Sequence, residues 1–340
     1  MRPISAEGLP RDRSKLLVAG TSVEDRSVCE LPSILRPGDL LVLNNVRVSP
    51  RRFFAQNCHH DREIELLLLA EQNASDGDTK RSVWQALAKP LRKLSVGDRL
   101  RLSAHLAATV LCKHKDTLDL AIENLDPERE LHEVIDAEAV IPIPPYIRKG
   151  RADEEDRVTY QTVFAEIPGA IAAPTAGLHF TPALLATLGE RGIECVPLTL
   201  FVGRGSFEQL DLERPQKWRV EAERFMVSAT SWEKITEVKR RGGRIVAVGT
   251  TTVRALESFA LRGAVGVGHV QETALFIKPG FKFLVTDLLL TNFHQPQSTH
   301  LLLVSAFVGS NVARNLYDHA LRSNYRFLSY GDAMLLERSR

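Results

Sequence analysis

Three stretches of the sequence place small polar residues where an apolar run gives way to a turn or helix. Strand ends and helix starts present unpaired N–H groups and fixed dipoles, so such junctions are where an α/β domain holds a ligand. The first is AIAAPTAGLHFTP, Ala170 to Pro182, where small residues permit close backbone approach and Thr175, Gly177 and His179 are candidates. A lone histidine is commonly a satisfied structural group, and that reading stands beside the functional one. The second is VAVGTTTVRALES, with Thr250 and Thr251 at a helix start and Arg254 after them. The threonines can act as caps alone, and Arg254 with Glu257, three residues on, can be a simple ion pair. The third is LLTNFHQPQSTHLLLVSAF, which crowds Asn292, His294, Ser298 and Thr299 between two apolar runs. Ser298 and Thr299 suit a helix cap, whereas the asparagine and histidine need another explanation. Near the end, YRFLSYGDAM adds Tyr330 and Asp332 beside a glycine, where the aspartate can also be a turn former.

Several chemistries are disfavoured. There is no HExxH spacing, and His59 and His60 are adjacent on a polar loop, a poor arrangement for one ion. Neither a GxSxG elbow nor a GxxxxGK[ST] phosphate loop occurs, and GVGHVQ lacks the glycine spacing of a dinucleotide fingerprint. Hydride transfer and nucleoside triphosphate hydrolysis are therefore not expected. The four cysteines are widely separated and form no CxxC pair, which points to neither a zinc knuckle nor a disulfide framework and fits a reducing cytoplasm. No segment has the apolar length of a membrane span, and the first residues have no signal-peptide core.

The elements that must position these residues follow from the apolar periodicity. Leu40 to Leu43 reads as a strand followed by an Asn-Asn break and a second β-rich run. From Cys58 to Val140, short β-leaning runs separated by polar turns have the spacing of a compact antiparallel barrel. After the proline-rich IPIPPYIRKG the chain alternates α and β: a helix over Pro182–Arg191, the strand CVPLTLFVG, a helix over Ser231–Arg241, the strand GGRIVAVG, the helix TTTVRALESFAL, two C-terminal helices, and a turn plus strand. The expected organisation is α/β plus all-β: a discontinuous α/β domain (1–57 and 141–340) carrying an inserted small antiparallel β-barrel (58–140). Net charge is only +2, so a polyanion would be held by a local patch. Basic clusters occur at Arg51 and Arg52, KPLRK (89–93), RKGR (148–151) and KRRGGR (239–244), each of which also reads as solvated surface charge.

Taken together, GDLLVLNNVRV, PPYI, YQTVFAEIPGAIAAPTAGLHFTPALL, AVGTTTVRALES, FIKPGFKF, TDLLLTNFHQPQST, LLVSAFVG and YRFLSYGDAM resemble, in order, the motifs of the S-adenosylmethionine:tRNA ribosyltransferase-isomerases of queuosine synthesis. The resemblance runs from about residue 11 to residue 334 and implies an α/β domain with an inserted β-barrel, in agreement with the organisation read above. It implies transfer and isomerisation of the ribosyl group of S-adenosylmethionine onto 7-aminomethyl-7-deazaguanine in the anticodon stem-loop of tRNA. The products would be epoxyqueuosine-tRNA, adenine and methionine. S-adenosylmethionine is a ribosyl-donating co-substrate, with no further cofactor, no metal and no membrane; a monomer or weak homo-oligomer in the cytoplasm is expected. Such chemistry requires the acceptor amine to lose a proton, a base for the C5′ hydrogens beside the sulfonium, and a proton for the leaving adenine. Carried over by position, His179 and His294 are the proton-handling candidates and Asp332 their carboxylate partner. Asn44, Asn45, Arg47, Thr175, Gly177, Glu221, Thr250, Thr251, Arg254, Asn292, Ser298 and Tyr330 are the binding candidates.

The sequence also departs from the family pattern. An opening stretch of the type DFxYELPxELIA is missing before RDRSKLLV. Phe201, Gln216 and Arg219 stand where the family has histidines, with Glu221 retained; His300 and Gln295 stand at positions usually leucine, and Lys278 at one usually tyrosine. Two alternatives therefore accompany the main reading: a divergent S-adenosylmethionine-dependent ribosyltransferase with another acceptor, or a noncatalytic RNA-binding relative.

Overall fold

The structure is a computed structural model that describes residues 10–58, 62–74, 80–203 and 218–339; His59, His60 and Gln216 lie outside the described residues. The chain divides into two compact units, Met1–Arg47 with Thr159–Arg340, and Val48–Val158. The strands are β1 (Lys15–Ala19), β2 (Val23–Ser27), β3 (Leu40–Asn44), β4 (Val46–Val48), β5 (Arg52–Asn57), β6 (Glu63–Ala74), β7 (Arg81–Lys89), β8 (Arg99–Arg101), β9 (Leu106–Lys113), β10 (Leu118–Asn124), β11 (Ile167–Ala170), β12 (Glu194–Leu200), β13 (Glu223–Met226), β14 (Ile245–Val248), β15 (Gln271–Thr273), β16 (Leu288–Asn292) and β17 (Ala333–Glu337). The α-helices are α1 (Leu31–Ile34), α2 (Leu131–Glu138), α3 (Asp156–Thr159), α4 (Pro182–Glu190), α5 (Ala229–Arg240), α6 (Thr250–Leu261), α7 (Thr299–Val308) and α8 (Ser310–Arg322).

The smaller unit is a closed antiparallel barrel in the order β10-β7-β6-β5-β8-β9. Its walls follow the period-two rule: Leu118, Leu120 and Ile122 of β10 are fully buried, while Asp119 and Glu123 face outward. Leu131, Val134 and Ile135 of α2 recur at helical spacing and join the same core. The unit begins earlier and ends later than the expected 58–140. β5 pairs with both β6 and β8, so it is barrel wall. The buried Arg52 donates from Nη1 to the carbonyls of Ile143 (2.8 Å) and Gly150 (2.7 Å), which holds the 141–150 segment in this unit. Only Ser49, Pro50 and Arg51 separate β4 from β5, and RFFAQN shares the β-leaning pattern of the run before it, so the sequence does not distinguish the two units there.

The larger unit has a sheet in the order β15-β13-β12-β3-β14-β16-β17-β1-β2. Its middle strands, β12, β3, β14 and β16, are parallel neighbours. Every residue of β3, β14 and β16 is buried, as required of parallel strands covered on both faces. Alternate residues serve opposite faces. Leu41, Leu43, Val246, Val248, Leu288 and Leu290 pack with Phe180, Leu184 and Leu188 of the α4 side. Leu40, Val42, Ile245, Ala247 and Leu289 pack with Ile235 of α5, Leu256 of α6, Leu303 of α7 and Leu316 of α8. The helix limits have local causes. The Thr181 hydroxyl accepts from the Leu184 N–H (3.1 Å) at the start of α4, Pro182 fits its first turn, and Gly192 leaves it with a positive φ of 72°.

Glu257, read from sequence as a possible partner of Arg254, is fully buried and does something else. Its carboxylate accepts from the backbone N–H groups of Leu284 (2.7 Å), Val285 (3.2 Å) and Thr286 (2.9 Å) and from the Thr286 hydroxyl (2.9 Å). The side chain therefore ties α6 to the approach to β16 and sets where that strand begins. Glu257→Ala would leave those buried donors unpaired, a loss of about 3–5 kcal/mol. The expected result is a thermal midpoint lower by roughly 6–15 °C, with Glu257→Gln falling less; a melt unchanged for Glu257→Ala would remove this role.

Candidate active site

The parallel strands β3, β14 and β16 end side by side, and their carboxyl ends carry the polar residues singled out above. Asn44 closes β3, Gly249 follows β14, and Asn292 closes β16. Gly249 takes a φ of 94°, a turn that favours glycine, and α6 begins at Thr250. Because neighbouring side chains on a strand point to opposite faces, the last two residues of β16 organise two separate clusters.

On the α4 side stands Asn292, which is buried. Its Oδ1 accepts from the Thr175 hydroxyl (2.9 Å), and its Nδ2 donates to His179 Nε2 (3.0 Å) and to the Asp332 carbonyl (3.3 Å). With Nε2 accepting, the ring proton is on Nδ1. Burial, reinforced by the positive fields of Arg326 and Arg11, pulls His179 down to about 4, against a hydrogen bond with the Arg11 backbone that favours the charged form. The imidazole is thus neutral at physiological pH, and its lone pair is taken by Asn292. A small cleft adjoins it, lined by Arg11, Ser14, Thr159, His179, Ser329 and Tyr330, with Leu178 and Gly331. Tyr330 is held edge-on by Tyr160, with ring centroids 6.0 Å apart. Arg11 donates to the Gln161 (2.8 Å) and Thr159 (3.1 Å) carbonyls.

The Asp332 carboxylate is not turned toward His179. It accepts from the Lys15 N–H (3.0 Å) and the Arg326 N–H (2.7 Å), with the Arg326 guanidinium 3.6 Å away. It therefore fixes the turn before β17 and supplies a carbonyl, not a carboxylate, to the Asn292 node. A Cβ at Gly331 would fall on the Arg326 and Phe327 backbone, so the tight SYGDAM turn requires glycine there. Gly177 likewise packs against Thr162 and Phe164, where a Cβ would come within 2.8 Å and 2.6 Å of their side chains, and is not exposed to a ligand.

The other face belongs to Thr291. Its hydroxyl is 2.9 Å from His294 Nε2, and the Tyr317 hydroxyl accepts from the His294 N–H (2.9 Å). The half-buried His294 ring stacks on His300 at 5.0 Å and 20°. Burial and the neighbouring His300 hold His294 well below its ordinary value; burial and Arg254 bring His300 to about 4. His300 and Thr299, with Arg254, Val220 and apolar residues from 275–277, line a second small pocket. The two candidate histidines thus do not share a cluster: they serve opposite faces at one strand end.

Several binding candidates are occupied by the fold. Asn44 is locked to β12, its Oδ1 accepting from the Leu200 N–H (3.0 Å) and its Nδ2 donating to the Leu200 carbonyl (3.0 Å) and to Thr251 Oγ1 (3.5 Å). Asn45 accepts from the Thr199 hydroxyl (2.7 Å) and donates to Glu166 (3.1 Å). Arg254 forms a buried ion pair with Glu223 and donates to the Leu275 carbonyl (3.1 Å), binding α6 to β13. Ser298 caps α7 through the Leu301 N–H (3.2 Å). Thr250 lies buried at the start of α6, Glu221 is half-buried in the segment leading to β13, and the exposed Arg47 donates to the Ala165 carbonyl (3.1 Å). Sequence reasoning missed Arg11, although RDRSKLLV carried it, and Glu223, whose pairing with Arg254 has no local pattern. Of the positions where family histidines are absent, Phe201 lies beneath the Arg224 guanidinium (4.9 Å) and Arg219 is exposed.

The fold of this chain is similar to that of a solved S-adenosylmethionine tRNA ribosyltransferase from Thermotoga maritima. That structure matches with a TM-score of 0.51 at 32% identity, over 96% of this chain and 93% of that one. The profile of the family described as queuosine biosynthesis protein matches residues 2–336. Curated relatives named S-adenosylmethionine:tRNA ribosyltransferase-isomerase include one from Deinococcus radiodurans, 45% identical over 97% of this chain and 90% of its own length, and one from Cereibacter sphaeroides, 44% identical over 96% and 93%. The chain belongs to the queuosine biosynthesis protein family.

The depressed His179 value has a thermodynamic consequence. The unfolded imidazole titrates near 6.5 and the folded one near 4, so between those values the unfolded chain binds the extra proton and acid favours unfolding. Stability is therefore full above pH 6.5 and is lost as pH falls toward 4, by about 2 kcal/mol between pH 7 and pH 5 from His179 alone. Denaturant unfolding at both pH values should show this loss, and His179→Gln should lose less; equal acid sensitivity in the two proteins would exclude the buried neutral state.

Proposed function

We propose that this protein is an S-adenosylmethionine:tRNA ribosyltransferase-isomerase. It transfers and isomerises the ribosyl group of S-adenosylmethionine onto 7-aminomethyl-7-deazaguanine in tRNA, forming epoxyqueuosine and releasing adenine and methionine. The observation that carries this reading is the relationship to enzymes of that name at 45% identity across 97% of the chain. S-adenosylmethionine serves as ribosyl donor and co-substrate. Among the described residues no helix is long and apolar enough to cross a membrane, and four free thiols suit the reducing cytoplasm where tRNA is found.

The geometry divides the labour between the two faces. On the Asn292 side, Arg11, Ser14, Tyr330 and a neutral His179 line a cleft suited to an anionic group of a substrate. His179 there holds a fixed tautomer and orients the cleft. On the Thr291 side, His294 uses Nε2 against a hydroxyl and leaves Nδ1 uncommitted among the described residues. A neutral imidazole with one free ring nitrogen is the better proton acceptor. His294 is accordingly the base of this proposal, and His179 with Asn292 the positioning pair.

For tRNA, the ion pairs redirect attention among the basic clusters. Lys239 and Arg244 of KRRGGR are paired with Asp287 and Asp39, and Arg148 and Arg151 of RKGR with Asp156 and Glu63. Arg51 stacks over Trp84 at 4.6 Å, and Arg52 is buried. Lys89, Arg92 and Lys93 of KPLRK are exposed on the barrel and carry no carboxylate partner among the described residues. Together with Arg240 and Lys149, which are exposed and likewise carry no carboxylate partner among the described residues, they are the cations best able to meet phosphates.

Incubation with S-adenosylmethionine and 7-aminomethyl-7-deazaguanine-containing tRNA should release adenine and raise the tRNA mass. No adenine would sink the proposal, and adenine without that mass gain would favour another acceptor. His294→Ala should lower kcat by roughly 10²–10⁴-fold, whereas Asn292→Ala should act more on KM; a His294→Ala enzyme with full kcat removes it as the base. Replacing Arg92 and Lys93 by alanine should weaken tRNA binding and reduce its salt slope by about 0.7–0.9 for each phosphate no longer neutralised. An unchanged slope would move the tRNA surface elsewhere.

A further inference from the structure

On the outer wall of the barrel, the β9–β10 hairpin gathers three side chains that the proposed reaction does not use. Cys112, His114 and Asp119 place a thiol sulfur, an imidazole nitrogen and a carboxylate oxygen within 4.8 Å of one another. Three features of the hairpin produce this arrangement. Cys112 and Asp119 are register partners, and the His114 N–H donates to the Thr117 carbonyl (2.8 Å) to close the turn. The ladder then shifts, with Asp119 opposite Cys112 but Leu120 opposite Val110, which leaves Leu111 as an extra residue on β9. Such a bulge re-aims side chains: Val110 is buried in the barrel core, whereas residues 111–113 are exposed and Cys112 turns outward.

The carboxylate is held for a ligand. Asp119 Oδ1 accepts from Gln72 Nε2 (2.8 Å), while Oδ2 lies 2.8 Å from His114 Nε2. The Gln72 bond is the kind of outer hydrogen bond that orients a ligating carboxylate, and the His114–Asp119 contact is the one that a bound cation replaces. Of the two lysines that flank His114, Lys113 donates to the Leu94 carbonyl (2.9 Å).

We propose that Cys112, His114 and Asp119 form a binding site for a thiophilic divalent cation of the zinc class. Thiolate, imidazole and carboxylate together are a donor set that calcium and magnesium, which require oxygen cages, do not use. Around tetrahedral zinc, bonds of about 2.0–2.3 Å place ligand atoms about 3.3–3.8 Å apart, so the His114 nitrogen and the Asp119 oxygen, 2.8 Å apart, separate slightly as the cation enters while the thiol sulfur, within 4.8 Å of both, closes in. The thiolate and the carboxylate together balance a dication. The fourth position is left to water or to an exogenous ligand, and binding releases the thiol proton to solvent.

Cobalt is the probe: the reduced, chelator-treated full-length protein is titrated with Co²⁺ while the near-ultraviolet thiolate-to-cobalt charge-transfer band is followed. One equivalent should generate the band and zinc should displace it. Cys112→Ser should abolish it, Cys58→Ser should leave it intact, and Asp119→Asn should weaken cobalt binding by at least about tenfold. No band at one equivalent, or a band that survives Cys112→Ser, overturns the site. Circular dichroism melts of each variant establish that it is folded. Should Cys112→Ser fail to fold, Asp119→Asn decides alone, an unchanged affinity counting against the proposal.

Discussion

The side-chain amide of Asn292 joins parts of the chain that lie far apart in sequence: the Thr175–His179 turn, the end of β16 and the Asp332 turn before β17. An amide has both a donor and an acceptor end, and here the donor end meets a backbone carbonyl, which can only accept, while the acceptor end meets a hydroxyl that donates to it. The Asp332 carbonyl must accept, which fixes the amide orientation; the Thr175 hydroxyl then donates to Oδ1 and His179 Nε2 accepts from Nδ2, so the tautomer follows. Replacing any member leaves a buried polar group unpaired, at a cost of about 1–3 kcal/mol. The cleft beside His179 therefore inherits its shape from a small number of hydrogen bonds, and those in turn depend on where β16 begins and ends.

That dependence runs back into the core. Glu257 fixes the residues entering β16, and the fully buried strand then sets which of its last two side chains faces which helix layer. A slip of one residue would exchange Asn292 with Thr291 and dismantle both clusters at once. The separation of His179 from His294 follows from the same period-two geometry. It explains why one face offers an electropositive cleft around a fully hydrogen-bonded imidazole, while the other offers an imidazole with an uncommitted nitrogen.

Much of the architecture was legible in the sequence because it rests on local signals. Leu40 to Leu43 and GGRIVAVG read as the strands that are β3 and β14, Pro182 marked the start of α4, and the short runs of the barrel announced themselves through their turns. What was not legible depends on distant partners. Glu257 looked like a neighbour for Arg254, yet each side chain bonds elsewhere: Arg254 to Glu223 and Glu257 to residues 284–286. The start of the barrel was missed because β5 shares the β-leaning pattern of the run before it. Asp332 read as a carboxylate partner for His179, whereas backbone N–H groups from Lys15 and Arg326 occupy it.

The same distinction governs the charges. A chain with net charge +2 has little long-range attraction for a polyanion, so affinity must come from cations that are not already neutralised. A linear count of lysine and arginine gives KRRGGR as much weight as KPLRK, but ion pairing does not. Lys239 and Arg244 are held by Asp287 and Asp39, and a phosphate approaching them would compete with carboxylates that also brace β3 and β14 from below. Lys89, Arg92 and Lys93 have no such obligation among the described residues, so their attraction to phosphate costs the fold nothing.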